Sequence, residues 1–321
     1  MEASRANGPE SDLSEASDPV KAPPPLQAIF AAVTLAALAT LILLPVLGGQ
    51  AGRRDPFLVA IAPPRIDPPG DLSDRDVQML SATLLDAAER HLSGRTGLLW
   101  LSADATSDDR SAARSAQEAG ADEVLVSTLS CGDPCRITLR RIRAVDGSTT
   151  WHRPSFRLDA EDPLQVERDV GKQIAVAYLK FPRRDGAPRL YARVEDYRRY
   201  LEIRRQLEVT PMPGDLADAM AAVRKESPRF FSTYLLEAGL RGRAGADAAT
   251  VLSLLSEAHR IAPADPRPLT EAVPLLVQFG RNVEARDLIN DLESLYPAHP
   301  QLPELRAQIF QPSARSERSP P

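Results

Sequence analysis

The sequence predicts an α/β domain of order βαβαβββα followed by all-α helical repeats, with one apolar helix ahead of both. Three observations carry this. Residues 26–49 contain no charge. Between residues 56 and 182, short apolar or alternating runs take turns with stretches of helical periodicity. From residue 191 onward the strand signal disappears and prolines close successive helical stretches.

The chain has 321 residues, enough for two ordinary domains. It is 43% apolar and 26% charged, which suits a globular protein. A net charge of −5 supplies no basic field for nucleic acid, and 5% aromatics leave little for a base-stacking platform. Residues 1–25 form a Ser/Pro/acidic tail that cannot bury enough surface to fold alone. Residues 26–49 read LQAIFAAVTLAALATLILLPVLGG. As a helix they span ~36 Å, enough for a ~30 Å hydrocarbon core. The expectation is a single-pass helix in the inner (cytoplasmic) membrane. Lys21 and Arg5 on one side and Arg53, Arg54 and Arg65 on the other do not fix its orientation.

The α/β domain is expected over 56–182. Residues 57–62 (FLVAIA) read as a buried strand. Residues 73–93 place Val77, Leu80, Leu84, Leu85, Ala88 and Leu92 at helical spacing after an acidic start. Residues 98–101 (LLWL) form a second strand, and 107–119 a second helix closed by Gly120. Strands follow at 123–130, 136–144 and 148–158, the last two joined by the turn-forming pair Asp146-Gly147. Residues 163–180 form a third helix with Val166, Val170, Ile174, Ala177 and Tyr178 on one face. Helices are then expected at 191–207, 215–225, 229–243, 247–261, 266–279, 283–295 and 302–310, with a polar tail at 311–321.

Pro263 and Pro297 lie 34 residues apart and each ends a helix. Aligned on them, Ala258 matches Leu292, Leu255 matches Ile289, Val251 matches Ala285 and Leu235 matches Leu269. In period and packing pattern, residues 191–310 resemble degenerate tetratricopeptide (TPR) repeats, without the consensus Trp and Tyr of the first helix. Three further stretches carry a wider likeness. Residues 57–63 (FLVAIAP), 116–126 (AQEAGADEVLV) and 142–152 (IRAVDGSTTWH) resemble the opening strand, the helix-Gly-strand step and the Trp-containing hairpin of the TolB-amino-terminal-like domain. The chain is thus similar to bacterial single-pass membrane signalling proteins in which that domain precedes TPR repeats. The departure is the cytoplasmic effector, for which only the 25-residue tail stands here.

No catalytic motif appears. His91, His152, His259 and His299 lack metal-ligand spacing, Gly171-Lys172 falls mid-helix without the glycine-rich turn of a phosphate loop, and no cofactor is expected. Asp108, Asp109, Glu161 and Asp162 read as helix-start carboxylates. Cys131 and Cys135 flank a Gly-Asp-Pro turn between adjacent strands, where a disulfide would clip the hairpin in an oxidising compartment, with two unlinked thiols as the other outcome. If the repeats bind as TPR arrays do, Arg198, Arg205, Thr233, Arg267 and Thr270 face the concave side and hold a partner. The functional expectation is a non-catalytic sensing or scaffolding protein that binds a protein or peptide through extracytoplasmic domains. The alternatives are a cytoplasm-facing scaffold, or an enzyme whose site in the α/β domain has no recognisable motif.

Overall fold

A computed structural model describes residues 56–67, 73–104, 108–132, 134–207 and 213–310. Strand β1 (Phe57–Ile61) is an unbroken apolar run, as expected of a parallel strand covered on both faces. It pairs in parallel with β3 (Leu98–Ser102) on one side and β4 (Glu123–Cys131) on the other. β4 then leads antiparallel into β5 (Cys135–Arg143) and β6 (Thr149–Arg157), giving a mixed sheet of order β3-β1-β4-β5-β6. A two-residue strand β2 (Arg65–Ile66) also pairs with β4. The element order is therefore ββαβαβββα; a strand of two residues is too short to show a period.

Helix α1 (Asp74–Leu92) starts at Ser73, whose side chain accepts from the Asp76 N–H. A capping box at Asp108 opens α2 (Asp109–Glu118), and Asp162 with Pro163 behind it opens α3 (Pro163–Ala177). Helices α1 and α3 cover one sheet face, where Leu80, Leu84, Val166, Val170 and Ile174 pack on Val59, Ile61 and Leu98. Helix α2 lies on the other face and presents Ala112, Ala113 and Ala116 to Ala60, Val124, Val126 and Ile142. Its small side chains allow a close approach to the sheet.

The remaining helices are α4 (Val194–Gln206), α5 (Pro213–Glu226), α6 (Phe231–Arg243), α7 (Ala248–Ile261), α8 (Arg267–Gln278), α9 (Asn282–Leu295) and α10 (Leu302–Phe310). From α4 to α10, each packs on its neighbour in chain order. They do not stand apart from the α/β part: α4 packs against α1 and α3, and Leu99 of β3 joins Leu269, Val273 and Leu276 of α8 in one cluster. The described residues from 56 to 310 belong to one compact unit.

Two expectations are corrected here. Among the described residues no helix is long and apolar enough to cross a membrane, which overturns the single-pass inner-membrane reading; residues 26–49 lie outside the described residues. TPR-like repeats are not shown either. Helices α7 and α9 do recur 34 residues apart, but Phe231 and Asp265, which that period superposes, do different jobs. The Phe231 ring lies 5.3 Å from the Arg267 guanidinium, and Asp265 pairs with the same group at 2.8 Å. The two positions are thus partners in one contact, not interchangeable copies.

Candidate functional site

The join between the α/β part and the helices is charged and buried. Asp86 of α1 is 2% exposed and accepts from Tyr197 and Tyr200 of α4, each at 2.9 Å, and from Arg90 one helical turn on. Arg204 of α4 reaches Asp86 at 3.5 Å and also pairs with Glu89. Arg267 lies 3.7 Å from Glu89 and stacks 5.3 Å from the Trp100 ring. Burying such charges is tolerable only because each meets an opposite charge or a hydroxyl. Lost hydration weakens the Arg267 charge, but Asp265 and then Glu89 outweigh it and hold its pKa above the ordinary arginine value. Burial drives the Tyr197 phenol upward, so it stays a donor to Asp86.

This join decides where the expected partner-binding residues lie. Thr233 is fully buried, its hydroxyl bound to the Phe230 carbonyl at 2.6 Å, and Arg267, half-buried, is held by Asp265 and Glu89 as described. Thr270 donates to the Arg267 carbonyl at 3.1 Å. Arg205 is engaged by Glu202 at 2.7 Å and Gln78 at 3.0 Å. Much of the helical face expected to hold a partner therefore meets α1 and β3. Arg198, by contrast, lines an open cavity.

That cavity is a groove of about 890 Å³ between the start of α1, the start of α3, α4 and α5. Met79, Pro163, Ile203, Leu216 and Val223 make it apolar, while Arg75, Arg198 and Arg199 supply positive charge and Asp76, Glu161 and Glu202 negative charge. Glu202 is largely spent: Arg205 comes first in holding its carboxyl below the usual range, and Arg75 adds a contact at 3.7 Å. Asp76 accepts from the Ser73 hydroxyl at 2.6 Å. Arg199 has no hydrogen-bond or ion-pair partner among the described residues. The lining contains no serine, cysteine, histidine or lysine.

Periodicity marks Ile203, Leu216 and Val223 as apolar, but no local signal says that they meet Met79 from a helix more than a hundred residues earlier. Arg199 was legible only as one of several charges on α4.

The two cysteines face each other at the end of the β4–β5 hairpin, as their spacing suggested. In this structure both are free thiols buried in the α1/α3 side of the core. Burial first, and then the adjacent Cys135, push the Cys131 thiol up to about 12, which keeps it protonated and unreactive. Among the described residues no group of three or more His, Cys, Asp or Glu is placed to hold a metal ion. No protein-family model matches the chain, and no curated protein matches it.

Proposed function

We propose that this protein is a non-catalytic binding module whose groove between α1, α3, α4 and α5 holds a peptide segment of a partner protein. The observation that carries the reading is the groove itself. Its volume of about 890 Å³ lies within the roughly 300–1,000 Å³ of ordinary ligand sites, and it combines an apolar floor with charges of both signs, of which Arg199 has no hydrogen-bond or ion-pair partner among the described residues. Arg75, Arg198 and Arg199 fit a segment whose apolar side chains enter between Met79, Ile203 and Leu216 while flanking carboxylates meet the guanidiniums. The buried join favours the same reading, because it makes both walls of the groove parts of one rigid body and leaves little ordering cost for the ligand to meet.

Ala219 lies exposed on α5 in the groove wall, so Ala219→Trp fills the groove without touching the core. Random peptides displayed on phage are selected against the full chain, and the winners are measured on wild type and on A219W. Enriched peptides should pair apolar with acidic residues and should bind A219W at least about tenfold more weakly. Peptides that bind A219W as well as wild type would remove the groove from the account.

A further inference from the structure

A smaller cavity, about 240 Å³, opens where the end of α1, the face of α3 and the connection at 183–192 meet. Its charge is lopsided. Arg90, Arg168, Arg183 and Arg189 line it together with His91 and a single carboxylate, Glu167. Asp86 lies beyond the floor and takes up Arg90, which leaves three guanidiniums facing Glu167. Glu167 is itself shared between Arg90 at 3.3 Å and the His91 ring at 3.1 Å. Arg168 makes only a loose 4.0 Å approach to Asp162 and a bond to Gln165 at 3.0 Å.

The pocket also carries unmet donors. The Arg90 side chain is 3% exposed, yet its Nη1 has no hydrogen-bond partner among the described residues. Arg189 has no acceptor or ion-pair partner among the described residues. Arg183 donates to the Pro188 carbonyl, and its guanidinium feels both lost hydration and the like charges of Arg95, Arg189 and Arg90, which together lower its pKa to about 10. The pocket exists because α1 lies close on α3. A Cβ at Gly171 would run into the His91 imidazole, so glycine there lets the ring sit against the helix at the pocket wall.

We propose that this pocket binds a small phosphoryl dianion, either free phosphate or the phosphoryl group of a small monoester. A dianion balances the unmatched guanidiniums, and its oxygens suit their planar forks. The cavity falls below the roughly 300 Å³ at which drug-sized ligands begin, so the occupant is little larger than the phosphoryl group. Because residues 183–192 join the α/β part to α4, the bound anion ties that connection to α1 and α3.

The test is calorimetric titration of the full chain with inorganic phosphate, glycerol phosphate and acetate at constant ionic strength. Wild type should bind inorganic phosphate saturably. Arg189→Gln and Arg168→Gln, both at exposed positions, should each weaken it about tenfold, with unchanged melting temperature in its absence. Tighter binding of glycerol phosphate than of phosphate identifies a monoester as the source; weaker binding identifies the free anion; either supports the site. No saturable heat, acetate binding as tightly as phosphate, or affinity unmoved in both variants overturns it. A219W should bind phosphate as wild type does, so failure of the peptide groove and failure of this pocket are told apart.

Discussion

Single side chains set how the fold responds to pH. His299 is 9% exposed, lies beside the Tyr296 ring, and accepts from the Gln301 N–H through Nδ1 at 3.3 Å. Burial lowers its pKa from 6.5 to about 4. The unfolded chain therefore takes up a proton that the folded chain refuses. The stability that follows is complete above pH 6.5 and is lost as pH falls from 6.5 toward about 4. At most this amounts to about 3 kcal/mol. Burial also lowers the pKa of His91 against the opposing pull of Glu167, so it adds to the slope in the same direction. Glu271, whose carboxyl burial raises to about 7, titrates in the opposite sense over the same window, so the test is the difference: urea unfolding should show a larger loss of stability toward low pH in wild type than in His299→Gln. Equal slopes would mean that His299 is not the group that titrates.

At the scale of elements, the contact of α1 with α3 depends on Gly171. Alanine is the better helix former by about 1 kcal/mol, yet its Cβ collides with the His91 ring, which Glu167 holds in place. Gly171→Ala should lower stability by roughly 1–3 kcal/mol, the usual cost of overpacking, as read from the urea midpoint. A gain in stability would show that the ring moves aside freely. Most element boundaries were legible because their signals are local. Ser73, Asp108, Asp162 and Asp247 each cap a helix start within their own few residues. Gly120 supplies the positive φ of 76° at which α2 ends. Strand β6 was legible from the Asp146-Gly147 turn before it, and as the outer strand it carries Pro154, Arg153 and Arg157, which disfavour pairing with another chain. What a local signal does not carry is the neighbour. Nothing local marks Asp86, Arg204 or Arg267 as parts of one join; Asp86 is buried and the two arginines half-buried because they meet partners 115 or more residues away in sequence. The concave-face reading of Thr233 and Arg267 failed for the same reason, since a helical period shows which face is apolar and not what covers it.

The join also sets the behaviour of the whole molecule. Asp86 collects two tyrosines and two arginines from α1 and α4. Asp86→Ala leaves Arg90 buried beside an unfilled space and should cost about 3–5 kcal/mol, the range for removing one partner of a buried pair. Tyr197→Phe and Tyr200→Phe each remove one bond to a carboxylate and should cost about 1.5–3 kcal/mol. All three can be read from equilibrium unfolding; a loss under about 1 kcal/mol for D86A would mean that the join contributes little to the fold. On the proposed function, the inner helical face is closed by the α/β part and a partner docks instead where α1, α3, α4 and α5 leave a groove. Amide hydrogen exchange of the full chain, with and without a peptide selected on it, tests this most directly. New protection should appear at the start of α1 and in α4 and α5, with α6 and α8 unchanged. Protection confined to α6 and α8 would contradict it and return the partner to the inner face.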